Sequence, residues 1–243
     1  MTYCVGMRLK KGLVMMSDTR TNAGVDNISV FRKMFTWSVP GDRVISLMTA
    51  GNLGTTQALV SKLEERTKAP EDRNPSILEA PTMFQVAELV SKTLREVIAS
   101  HEPVGEEASD TFNATIIVSG QIAGIEPRLF LIYPEGNFVE ASDDTPFFQI
   151  GETKYGKPIL VRAYDPDMSF EDAVKLLMVS FDSTMKANLS VGLPLDLLVY
   201  ETDSLAIRDR RRIETDDPYF QSISAGWGDA LKLAFHSLPQ FEF

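Results

Sequence analysis

Residues 2–18 read TYCVGMRLKKGLVMMSD, and this stretch decides the fold. Residues 2–9 and 13–18 have the composition of two strands, with Lys11-Gly12 as the turn between them. Side chains alternate along a strand, so Leu13 and Met15 point one way while Val14 and Met16 point the other. Both faces are therefore apolar. A sheet with one side in water would alternate apolar with polar residues, so this strand belongs in a sheet covered on both sides.

Outward from that pair, residues 30–38 (VFRKMFTWS) and 43–50 (RVISLMTA) read as a second pair, turned at Pro40-Gly41-Asp42. Residues 52–67 read as a helix with Leu53, Val60 and Leu63 among its apolar positions. Residues 82–100 read as a stronger one, with Phe84, Ala87, Val90, Leu94, Val97 and Ile98 on one stripe. The proline-bearing stretch between these helices and the acidic stretch 102–111 read as loops. Strands are expected again at 113–119, 128–133, 137–141 and 146–150. Helices follow at 153–162 and 169–187, then a strand at 196–202 and a short helix at 221–237. Strands, two helices, strands, two helices and a strand suit two stacked sheets with helices on each outer side, an α+β arrangement in one domain spanning 1–243.

The chain has 24 Lys+Arg against 34 Asp+Glu, a net charge of −10. An acidic balance argues against nucleic acid, whose phosphates need a basic face. One cysteine, Cys4, excludes an intrachain disulfide and fits a reducing compartment. No apolar run approaches the ~20 residues that span a bilayer. Arg8, Lys10 and Lys11 follow the first apolar residues instead of preceding them, unlike a signal peptide. A cytoplasmic protein is expected. His101 and His236 are isolated, HExxH and GxSxG are absent, and no metal or cofactor is expected. Gly151 to Lys157 has phosphate-loop spacing, but Pro158 stands where the Mg²⁺-binding hydroxyl should be. Cys4 lies mid-strand and reads as a packing residue. The cluster Arg208–Arg212 is interleaved with acid and reads as a solvated face or a subunit contact.

Four features carry chemistry. Alternation over 30–38 would set Lys33 on a face with Phe31, Phe35 and Trp37, where an unpaired ammonium is costly. Asp18 shares a face with Val14 and Met16 at a strand end. An Asp18–Lys33 pair would resolve both, the alternative being a lysine at a sheet edge and an aspartate in a turn. Removal of Met1 would expose the α-amine of Thr2, uniting a hydroxyl nucleophile and a base in one residue. That amine titrates near ~7.7–8.0 unperturbed, and a nearby lysine would lower it. Ala50-Gly51-Asn52 stands between a strand and a helix, where backbone N–H groups could hold an oxyanion or Asn52 could simply cap the helix.

In order and spacing, Thr2, then Ser17-Asp18-Thr19-Arg20, then Lys33-Met34-Phe35, then Ala50-Gly51 resembles proteasome β-subunits and the related bacterial HslV protease. The opening MTYCVG and the run SDTRTNAGVD are most similar to the Anbu family, the ancestral β-subunit. The resemblance implies a four-layer αββα sandwich of the N-terminal nucleophile hydrolase type. It implies a threonine peptidase acting through an acyl-enzyme ester. Thr2 would be the nucleophile and base, Lys33 the group tuning its amine, and Asp18 the partner of Lys33. Arg20 would support these, Gly51 would give the oxyanion N–H, and Ser190 would sit near the amine. Thr21, Phe31, Thr49 and Leu53 match pocket-lining positions. Two positions depart from the pattern: Ala187 replaces an aspartate, with Asn188 beside it, and Glu152 follows Gly151 where a serine is usual. The implied partners are a peptide or unfolded-protein substrate and further copies of the chain, in a ring or ring-like stack. The resemblance fixes no ATPase partner. Lys33→Ala is expected to inactivate while leaving the fold intact. A non-catalytic ring or scaffold subunit, or a hydrolase for one small amide or peptide, are the rival readings.

Overall fold

A computed structural model describes residues 2–22, 28–68, 75–101 and 112–243. The expected acidic loop 102–111, part of the proline-bearing loop before it, Met1 and residues 23–27 of the SDTRTNAGVD run lie outside the described residues.

The chain forms strands β1 (Tyr3–Leu9), β2 (Gly12–Asp18), β3 (Arg20–Asn22), β4 (Ile28–Val30), β5 (Met34–Val39) and β6 (Arg43–Gly51) before helices α1 (Leu53–Lys68) and α2 (Met83–His101). Strands β7 (Ala114–Ile122), β8 (Arg128–Ile132), β9 (Phe138–Glu140) and β10 (Phe147–Gly151) follow. Helices α3 (Lys157–Ala163) and α4 (Phe170–Ala187), strands β11 (Leu195–Glu201) and β12 (Ile207–Ile213) and helix α5 (Pro218–His236) complete it. One antiparallel sheet runs β10-β1-β2-β11-β12 and the other β5-β6-β7-β8-β9, with β3 and β4 forming a separate two-stranded ribbon. Three apolar layers hold the expected αββα sandwich together. Leu47, Val118 and Phe130 meet α1 and α2 residues such as Leu59 and Leu94. Val5, Val14, Met16 and Leu197 meet α4 residues such as Leu177 and Phe181. Cys4, Leu13, Met15, Met48 and Ile117 fill the space between the sheets. The two-faced reading of residues 13–18 holds: Leu13 and Met15 lie between sheets, Val14 and Met16 under the helices.

The structure departs from the sequence reading at four places. The expected strand 30–38 is broken, because residues 31–33 lie between β4 and β5 in neither strand. Strict alternation therefore does not place Lys33. The helix expected from 153 begins at Lys157, since Pro158 lacks an N–H and suits only a first turn. The cluster Arg208–Arg212, read as a solvated face or a subunit contact, lies within strand β12, which was not expected. It gains its stability from pairing with β11, and its charges blunt an open sheet edge. The last helix is longer than expected, with Asp217 capping it by accepting the Phe220 N–H at 2.8 Å.

Among the described residues no helix is long and apolar enough to cross a membrane, and no group of His, Cys, Asp and Glu could hold a metal ion.

Candidate functional site

The first residues of β1 bring the site together. Tyr3 pairs with Gly151 and Cys4 with Ser17, so the chain start is clamped between β2 and β10. Thr2 is buried, 9% exposed. Its carbonyl accepts the Glu152 N–H at 2.6 Å. Gly151 makes that approach possible: its φ is +83°, and a Cβ there would stand 1.9 Å from the Thr2 carbonyl oxygen.

Asp18, at the end of β2, is fully buried. Its Oδ1 accepts the Tyr3 N–H at 3.0 Å and the Lys33 ammonium at 2.7 Å. Lys33 is 4% exposed and also donates to the Arg20 carbonyl at 2.6 Å. The expected Asp18–Lys33 pair is thus present, and the alternative of a sheet-edge lysine is excluded. Burial holds the Asp18 carboxyl above its usual range, against the opposing pull of Lys33 and of the Tyr3 N–H. Such a pair is costly to assemble and costly to break.

Arg20 donates to the Leu189 carbonyl at 2.9 Å and packs against Gly192. It thereby ties β3 to the segment after α4. In that segment Asn188 ends the helix, accepts the Ser190 N–H at 2.9 Å and donates to the Glu152 carboxylate at 3.0 Å. Thr2, Glu152, Asn188, Ser190, Arg20 (through the Leu189 carbonyl), Lys33 and Asp18 form a continuous chain of neighbours, although they come from five separate regions of sequence. Gly51, at φ +120°, ends β6. A Cβ on it would stand 2.4 Å from the Asn113 carbonyl oxygen, so a glycine is required there. The Thr49 N–H donates to the Lys33 carbonyl at 3.0 Å, which fixes β6 beside the lysine. Asn52 caps α1 by accepting the Thr55 N–H at 3.0 Å, so the capping role read for it is realised.

The pocket residues are dispersed in role. Thr21 pairs with Ser29 in the β3–β4 ribbon, and the Phe31 N–H donates to the Thr19 carbonyl at 2.9 Å. Thr49 is buried, and Leu53 opens α1. Two neighbours, Tyr3 and Gly192, were not singled out from sequence, and Gly151 was noted there without this role. Tyr3 fastens the site twice, through its N–H on Asp18 and through its hydroxyl beside Ser180 (2.8 Å) and Gln149 (2.6 Å). Burial pushes its phenol up to about 12. Gly192 gives room to Arg20. Cys4 is fully buried, and burial raises its thiol well above the usual value, in keeping with packing.

Lys33 directs its described hydrogen bonds to Asp18 and to the Arg20 carbonyl, none to the Thr2 hydroxyl. Ala187 supplies no carboxylate, and Glu152 reaches Asn188.

A family model described as Proteasome subunit matches residues 2–197. Proteasome subunit beta 2 of Pyrobaculum calidifontis is 27% identical over 201 residues, covering 81% of this chain and 87% of its own. Anbu from Yersinia bercovieri is 46% identical, with a TM-score of 0.92, and covers 99% of this chain and 100% of its own. Anbu from Hyphomicrobium sp. strain MC1 is 48% identical, with a TM-score of 0.90 and coverage of 99% and 100%. A structure described as a helical assembly of the Anbu complex from Pseudomonas aeruginosa is 44% identical, with a TM-score of 0.91 and coverage of 99% and 98%. Anbu is a proteasome-fold protein regarded as a non-catalytic ring or scaffold. These likenesses overturn the expected threonine peptidase, and with it the expectations of a hydrolase and a protease acting through an acyl-enzyme ester.

Proposed function

The chain belongs to the proteasome subunit family, in its Anbu branch, and on that premise we propose that it works as a non-catalytic, self-assembling ring or scaffold subunit. One observation carries this reading. The outer half of α5 and the residues after it leave Leu233, Phe235, Leu238 and Phe241 exposed by 74%, 71%, 61% and 78%. A concentration of exposed large apolar side chains of this kind marks an interaction site. Glu152, through the Thr2 carbonyl, and Asp18, through the Tyr3 N–H and itself held by Lys33, then act as the clasp that holds the chain start against β2 and β10. Peptides or unfolded proteins are the guests such an assembly would hold, without cleaving them. Its place is a reducing compartment such as the cytoplasm, where Cys4 stays a thiol.

The test joins size to chemistry. Sedimentation velocity of the purified chain and of Thr2→Ala should show the same multi-subunit species. Fluorogenic peptides should be hydrolysed at the same background rate by both. Peptide turnover that disappears in Thr2→Ala, or a monomer at micromolar concentration, would overturn the reading.

A further inference from the structure

Among the described residues, helix α5 packs against the body of its own chain through its first half, up to Gly228. Phe220 is buried and Ile223 packs against the α4 layer. Beyond them α3, α4 and the root of α5 enclose a mostly apolar groove of about 570 Å³, lined by Ile159, Ala163, Met168, Leu176, Val179 and Trp227. From residue 229 onward every residue is exposed. Residues 230–238 read ALKLAFHSL. Leu231 and Phe235, at i and i+4, share one stripe of the helix and Leu238 follows just past its end, while Leu233 points from another side. A helix apolar on more than one side belongs in a buried position.

Ala230 still lines the groove of its own chain, but the outer part of the stripe, Phe235 and Leu238, stands clear of it. Residues 218–236 form one continuous helix. At about 1.5 Å per residue, Phe235 stands roughly 12 Å beyond Trp227 along the axis. The charges agree with a meeting between molecules. Asp165 and Asp172 stand at the groove, Asp172 already paired with Lys175 at 2.6 Å. The stripe carries Lys232 and His236 alongside, Lys232 standing exposed at 3.4 Å from Asp229 of its own helix, and the C-terminal end of a helix is electronegative, so cations are favoured there.

We infer that the outer half of α5 of one copy lies in the α3–α4–α5 groove of a second copy, with Leu231, Phe235 and Leu238 on the apolar floor and Lys232 toward Asp165. The inference rests on the self-assembly proposed above and names its surfaces. The donor and acceptor patches differ, so the contact is head-to-tail. Each copy offers a free helix and a free groove, and repetition closes a ring or extends a helical filament according to the rotation per step.

Mixed single-cysteine variants test this directly. Phe235→Cys places a thiol on the stripe, and Ala163→Cys places one at the exposed mouth of the groove, while Cys4 is fully buried. Disulfides form only when Cα atoms come within about 7 Å, so an added oxidant should link the two variants at least about tenfold more than it links either to itself. Leu231→Cys serves as a second stripe position should Phe235→Cys fold poorly by circular dichroism. Linkage of Phe235→Cys chiefly to itself would show that α5 meets α5, and would overturn the inference. So would well-folded variants with no cross-link. In either case an unchanged wild-type sedimentation profile leaves the assembly reading standing, whereas a monomeric wild type defeats that reading first.

Discussion

Lys33→Met removes one half of an ion pair and leaves Asp18 fully buried with its Oδ1 facing one remaining hydrogen-bond donor, the Tyr3 N–H at 3.0 Å. Breaking a buried pair in this way costs about 3–5 kcal/mol, and the surviving backbone donor puts the figure near about 3 kcal/mol at pH 7. The expectation from sequence, that loss of this lysine would spare the fold, is thus revised by the burial of its partner. The dependence on pH gives the reasoning its sharpest test. Burial already holds the Asp18 carboxyl above its ordinary value of 3.8 in the intact protein. A carboxyl raised on folding contributes stability that is fully present below the unfolded value and lost as pH rises through the folded one. Loss of Lys33 raises the folded value further. The variant's deficit should therefore shrink as pH falls toward about 4, leaving the packing cost of about 1 kcal/mol. In Asp18→Asn/Lys33→Met both charges are gone and the Tyr3 N–H keeps an acceptor, so most of the stability lost at pH 7 should be recovered. Urea unfolding followed by far-ultraviolet circular dichroism measures all three, at one protein concentration because assembly adds to apparent stability. A deficit equal at pH 7 and pH 4.5, or a double variant no more stable than Lys33→Met, would refute the argument.

Phe235→Asp should disrupt assembly. Seating its exposed ring contributes about 2–4 kcal/mol at ~25 cal/mol per Å², so sedimentation should show the dissociation constant rising by about two orders of magnitude. Gly151→Ala should unfold or strongly destabilise the chain, because φ is +83° and the new Cβ would overlap the Thr2 carbonyl. A melting temperature lowered by only a degree or two would contradict that geometry. Asn52→Ala removes the side chain that accepts the Thr55 N–H, and should cost about 1 kcal/mol in urea unfolding without altering assembly.

Much of the fold was legible because burial imprints a period on sequence. The two-faced apolar strand at 13–18 and the stripe from Phe84 to Ile98 report layers directly. The edge strand β12 was hidden because its stability comes from backbone pairing with β11, which leaves no apolar alternation to read. The break at residues 31–33 was hidden because the aromatic alternation around it continues unbroken on paper. Within the site, the residue types and spacings of Thr2, Asp18 and Lys33 were readable. The clasp formed by Gly151 and Glu152 on Thr2 required two segments about 150 residues apart in sequence to meet.

Local chemistry alone determined the covered sheets, the helices that flank them and the presence of an aspartate and a lysine in search of partners. Only the folded chain decided that those two charges face each other, that Lys33 is held by Asp18 and the Arg20 carbonyl, and that the end of α5 stands clear of its own body. Periodicity measures whether a side chain is buried. What a side chain is buried against depends on contacts between distant segments, and those exist only once the layers have packed.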